Sequence, residues 1–198
     1  MKTLVYYFYI ILSLYLWENS ISAKYIFVSN ENSDTIVVLD KISKEIIKKI
    51  KTGGRPRDLK FNNDYSKLYA VVSEENHMLE IDAIKLDITK IIETGDDPEI
   101  FDIDPENKII AVSNEDDNEL TIIDMQTKKI IESIKDVGVE PEGVNFTPDG
   151  KLVYVTSEGT SSILIVDPWK RKIVNKATSI NLNFQIRYAS RKEIPIKP

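Results

Sequence analysis

Three prolines, Pro56, Pro98 and Pro141, each stand between charged residues that could do chemistry. Arg55, Asp97 and Glu140 precede them, and Arg57, Glu99 and Glu142 follow. Two guanidiniums among four carboxylates can hold a cation or a small polar ligand, and converging carboxylates can hold a divalent metal through oxygen. Loops that enter strands are also charged simply because they are solvated, which accounts for the same residues without any ligand. Two acidic turns, Glu31-Asn32-Ser33-Asp34 and Glu115-Asp116-Asp117-Asn118-Glu119, offer the oxygen donors that calcium prefers. Neither has the calcium-loop spacing with its central Gly and closing Glu, so they read as polar turns and no metal site is assigned. His77 is the only histidine and there is no cysteine. This removes His-rich and thiolate metal sites, disulfides, c-type haem attachment and any Ser-His-Asp set not built on His77. No GxSxG, P-loop or GxGxxG run is present. No catalytic set and no cofactor motif emerges.

The elements that must position these residues repeat. Asp40, Asp82, Asp124 and Asp167 each close an apolar run (VVLD, LEID, TIID, LIVD) at steps of 42, 42 and 43 residues. The three prolines keep steps of 42 and 43, and so do Phe61, Ile103 and Phe146. Each unit holds short β-branched and aromatic runs cut by Gly, Pro, Asn and Asp turns. A period of this size with several strands per unit is the signature of a β-propeller blade. The fold expected is all-β: about three and a half to four blades of four-stranded antiparallel sheet in an incomplete ring. The aspartates are expected to accept backbone N–H bonds just past their strands. The prolines are expected to open the inner strands, where a missing N–H breaks no ladder bond. The six charged residues then fall at the mouth of the central channel.

Leu152-Val153-Tyr154-Val155-Thr156 with Ser157-Glu158, the SNENSD run at 29–34, the SNEDDN run at 113–118 and the Thr147-Pro148-Asp149-Gly150 turn together resemble the YVTN-family β-propeller repeat. The resemblance covers roughly residues 25–173 and is strongest to periplasmic propellers associated with quinone-cofactor (PQQ) dependent catabolism. It implies a binding or scaffold protein whose partners are a periplasmic quinoprotein oxidation system or its small substrates. It does not imply a particular activity, because one fold hosts many functions.

Residues 1–23 read as a signal peptide: Lys2, an apolar run from Leu4 to Trp17, and Ile21-Ser22-Ala23 before the cleavage point. The apolar run is short for a membrane span, so a periplasmic or secreted protein is expected rather than an integral membrane one. Residues 24–174 hold the repeats, and 175–198 read as an irregular tail. The net charge of −6 and the absence of a Lys/Arg cluster exclude nucleic acid as the expected partner. Protein partners, a small polar ligand at the mouth, and self-association that completes the ring are the expected interactions. The leading expectation is therefore an exported, non-catalytic binding module. The alternatives are a lactonase-like hydrolase with a carboxylate-held metal and a nonfunctional fragment of a longer propeller.

Overall fold

The computed structural model describes residues 24–178; the expected signal peptide and all of the expected tail beyond residue 178 lie outside the described residues. Blade 1 has three strands, β1 (Tyr25–Asn30), β2 (Thr35–Asp40) and β3 (Ile46–Lys51). Blade 2 has β4 (Pro56–Phe61), β5 (Lys67–Val72), β6 (His77–Asp82) and β7 (Asp87–Glu93). Blade 3 has β8 (Pro98–Ile103), β9 (Ile109–Asn114), β10 (Glu119–Asp124) and β11 (Lys129–Ile134). Blade 4 has β12 (Pro141–Phe146), β13 (Val153–Ser157), β14 (Ser162–Asp167) and β15 (Lys172–Thr178). Every pairing is antiparallel between chain neighbours. In blade 1, β1 matches β5 by register, so the innermost position is unfilled among the described residues. The blades pack in sequence, and among the described residues the ring is not closed.

The repeated residues do repeated physical work. Asp40 Oδ1 accepts from the N–H groups of Ile42 and Ser43 at 2.8 and 2.9 Å. Asp82, Asp124 and Asp167 do the same two and three residues on. For Asp40, Asp82 and Asp124 these backbone bonds lead in holding the carboxyl below its usual range. For Asp167 the leading cause is the bond from the Lys170 side chain. The stability they contribute is present above the ordinary carboxylate pKa of 3.8 and is lost as pH falls through the lower folded values.

Each of these turns ends on a left-handed residue, Lys44, Leu86, Lys128 and Arg171, at φ of 63°, 62°, 59° and 55°. Glycine has no Cβ to resist that conformation, and every residue used here does. Lys44 is exposed, so Lys44→Gly is expected to raise stability by about 0.5–1 kcal/mol, measured by urea denaturation. Glycine is required at Gly138 in the blade 3 to blade 4 crossing. Its φ is +108°, and a Cβ there would lie 2.3 Å from the Ser157 Cβ.

The core is three layers, one between each pair of neighbouring blades. Ile36, Val38, Leu68, Ala70, Leu79 and Ile81 join blades 1 and 2. Val71, Met78, Phe101, Ile110, Val112 and Ile123 join blades 2 and 3. Ala111, Leu120, Ile122, Val144, Val153 and Val155 join blades 3 and 4. Alternation explains the arrangement: successive strand residues face opposite neighbours, so central blades are apolar on both sides. A fully buried Ile or Leu contributes about 1.5–3 kcal/mol through removal from water. At the outer side, Lys128 joins blades 2 and 3. Its ammonium lies 2.7 Å from Glu80, 2.5 Å from the Tyr69 hydroxyl and 4.7 Å from the Tyr69 ring centre. Burial pushes Glu80 up, but hydrogen bonds from Lys128, Thr89 and Tyr69 outweigh it and hold the carboxyl low.

His77 opens β6, where it is half-buried and burial lowers the pKa of its imidazole. One local expectation changes. The fourth blade's last strand reaches Thr178, beyond the repeat boundary expected at 174. Its sequence, KIVNKAT, carries little alternation; its place follows from pairing with β14.

Candidate functional site

The crossing loops and the β5–β6, β9–β10 and β13–β14 turns share one end of the blades, tied by the same bonds in each repeat. Ser73, Glu115 and Glu158 donate backbone N–H groups to the carbonyls of Arg55, Asp97 and Glu140 at 3.0, 2.9 and 3.0 Å. Arg55, Asp97 and Glu140 are left-handed, at φ of 56°, 50° and 52°. Their own N–H groups are accepted by the side chains of Asp34, Asn76 and Asn118. After each proline the inner strand bulges, between Pro56 and Leu59, Pro98 and Phe101, and Pro141 and Val144. This bulge re-aims the residue behind the proline. In blades 3 and 4 a hydroxyl fills it: Ile100 N–H donates to Ser113 and Gly143 N–H to Thr156.

Glu99 sits behind Pro98 and is fully buried. Its Oε1 lies 3.4 Å from an Arg55 guanidinium nitrogen, and its Oε2 faces the Arg57 guanidinium in an ion pair. Arg55 also reaches Asp97 at 3.7 Å, and Arg57 reaches Glu31 at 3.6 Å. Burial pushes the Glu99 carboxyl up to about 7; the charges of Asp97 and Glu115 add to the push, while Arg57 and Arg55 oppose it. The carboxylate oxygens of Asp97, Glu99 and Glu115 converge to within 4.8 Å of one another. Glu115 is raised by burial first, then by the charges of Asp97, Glu142 and Glu140.

The six residues picked out around the prolines therefore divide. Arg55, Arg57, Asp97 and Glu99 form one connected ion-pair group. Glu140 and Glu142 lie close enough to raise Glu115, and among the described residues neither makes an ion pair. Of the four carboxylates needed for the metal alternative, only Asp97 and Glu99 converge. Their third member, Glu115, comes from a turn that reads as ordinary polarity. Chemically the arrangement is an anionic cluster, with Glu99 restrained by two arginines and the outer carboxylates open to a cation or a hydrogen-bond donor.

A second polar set lines the inner strands and has a signal that sequence reasoning passed over. Lys60, Asp102 and Asn145 fall at one repeat position, each between the apolar pairs Leu59/Phe61, Phe101/Ile103 and Val144/Phe146. Lys60 reaches Asp102 at 2.9 Å, and Asp102 accepts from Asn145 and from the Phe146 N–H at 3.3 and 2.7 Å. Asp58 likewise accepts from the Phe101 N–H at 3.3 Å. Carboxylates thus bind each inner strand to the next. Asp102→Ala would leave the N–H of buried Phe146 without its partner, and an expected loss of about 1–3 kcal/mol is measurable by chemical denaturation.

Repeated antiparallel blades, stacked through apolar layers with charged residues at the mouth of the inner strands, define a β-propeller. The family model described as YNCE-like beta-propeller matches residues 12–184, and this chain belongs to that family. The match begins inside the segment that reads as a signal peptide. A search of curated proteins gives no significant match. Among solved structures, a chain described as Kuenenia stuttgartiensis hydrazine synthase is similar, with a TM-score of 0.71 and 21% identity. The alignment covers 77% of this chain and 45% of that chain, so this chain spans less than half of that structure's length. At this identity the likeness is one of fold.

Proposed function

We propose that this protein is a non-catalytic binding or scaffold module that works outside the cytoplasm and takes a cationic or polar group of its partner at the channel mouth. The observation that carries the reading is the charged cluster around Glu99. A fully buried carboxyl is held by Arg55 and Arg57; Glu115 stands beside it with Glu140 and Glu142 nearby in turn, and none of the three makes an ion pair with an arginine among the described residues. Uncompensated carboxylates next to a low-dielectric wall attract positive charge more strongly than the same groups in open solvent. Export rests on the pattern of residues 1–23. Association with a quinoprotein oxidation system rests on the sequence resemblance alone. Among the described residues no helix is long and apolar enough to cross a membrane.

Titration of the purified protein with diamines, guanidinium compounds and neutral sugars, followed by thermal unfolding, tests the binding reading. A ligand that binds the folded state raises the Tm with concentration. The rise is expected for the cationic compounds in the native protein and is expected to vanish in Glu115→Gln/Glu142→Gln. Equal shifts in native and variant protein, or none with any compound, would reject the mouth as the binding site. Cell fractionation tests export separately: a mature chain found in the cytoplasm would contradict it.

A further inference from the structure

The repeat allows each apolar position to be compared in all four blades. Ile26, Leu68, Ile110 and Val153 are equivalent, and so are Val28, Ala70, Val112 and Val155. In blades 2 to 4 these residues are at most 1% exposed, whereas Ile26 is 37% and Val28 45% exposed. The difference is not in residue type. In blades 2 to 4 this face rests on the preceding blade, and blade 1 has no preceding blade among the described residues.

The other end of the arc shows the reciprocal face. Ile109, Ala111, Leu120 and Ile122 of blade 3 are buried against blade 4. One repeat on, Leu152, Tyr154, Ile163 and Ile165 of blade 4 are only half-buried. The described arc therefore ends on the two halves of one interface, which it already makes three times internally.

We propose that the occupant of both faces is a second copy of this chain, with blade 1 of each copy seated on blade 4 of the other. The open face of blade 4 continues the surface that receives the next blade in blades 1 to 3, so it is the surface that fits Ile26 and Val28. Two such contacts close a twofold ring and leave neither apolar face in water, where it would promote open-ended association. Eight blades lie within the range of about four to eight that propellers use. Closure would place two Glu99 clusters around one channel.

Light scattering on the purified full chain is expected to give twice the mass of one chain. Ile26→Glu/Val28→Glu is expected to halve that mass while keeping the β-sheet circular dichroism, and Ile84→Glu, at a 77% exposed turn position, is expected to leave the mass unchanged. A thiol test does not depend on the charged variant folding. The protein has no cysteine, so Val28→Cys chains mixed with Ile165→Cys chains are expected to form a disulfide-linked pair of unlike chains. Native protein that is monomeric, or that grows into a ladder of larger species, would overturn the proposal. So would a double variant that remains dimeric, or the absence of the mixed disulfide.

Discussion

Phe101→Ala is expected to lower the unfolding free energy by about 3–5 kcal/mol. Phe101 is 0% exposed in the layer between blades 2 and 3, packed with Val71, Met78, Ile110, Val112 and Ile123. Truncation removes the transfer free energy of the ring and leaves a cavity that β-sheet walls on both sides can fill only in part. Domains are stable by about 5–15 kcal/mol in total, so the loss is a large fraction of what holds the array together. Because contacts run only between neighbouring blades, the weakened layer is also where the array should divide first. Urea denaturation measures the change. Ile84→Ala, at an exposed turn, is the matched control and should stay within about 0.5 kcal/mol of the native protein.

The second large effect is a pH dependence centred on Glu99. In the folded protein its carboxyl keeps its proton up to about 7, whereas in the unfolded chain it releases the proton near 4.5. Between those values the folded state binds more protons than the unfolded state, so stability falls as pH rises. At about 1.4 kcal/mol per pH unit, the window corresponds to a loss on the order of 3 kcal/mol. Glu99→Gln keeps the shape and the hydrogen-bond acceptor but has no proton to release. The variant is therefore expected to match the native protein near pH 4.5 and to exceed it by on the order of 3 kcal/mol at pH 8. Denaturation curves for both proteins across this range check the difference. Curves that stay parallel would mean that Glu99 titrates as an ordinary carboxylate. The strand-closing aspartates act at lower pH and in the opposite sense, and they cancel in the comparison.

The period was legible because its landmarks have fixed physical jobs. An aspartate closing a strand accepts the next turn's N–H groups, and a proline opening an inner strand sits where no ladder bond is needed. Both stay in place while the surrounding apolar residues vary. The four left-handed turn positions were not legible, since Lys44, Leu86, Lys128 and Arg171 carry no glycine to mark them. Nor was the far end of β15, which runs past the expected boundary at 174 to Thr178 by pairing with β14 without an alternating pattern of its own.

The mouth was half legible. Repeat register alone brought Arg55, Arg57, Asp97 and Glu99 into one list, and they do form one ion-pair group. It could not say that Glu99 is fully buried while Glu142, at the same repeat position, is half-buried; Arg55 and Arg57 from the preceding crossing close on Glu99 alone. Glu115 was read as turn polarity, yet the backbone bond from its N–H to the Asp97 carbonyl draws the turn over the cluster. Sequence spacing holds no trace of that bond.

The account stands most directly on the state of one carboxyl group. Carbon-13 NMR of selectively labelled glutamate, with Glu99→Gln to assign the resonance, follows the Glu99 side chain through a pH titration. The predicted midpoint is about 7. A midpoint near the ordinary value of 4.5 would mean that Arg55 and Arg57 cancel the effect of burying the carboxyl, and the fall in stability between pH 4.5 and 7 would not exist.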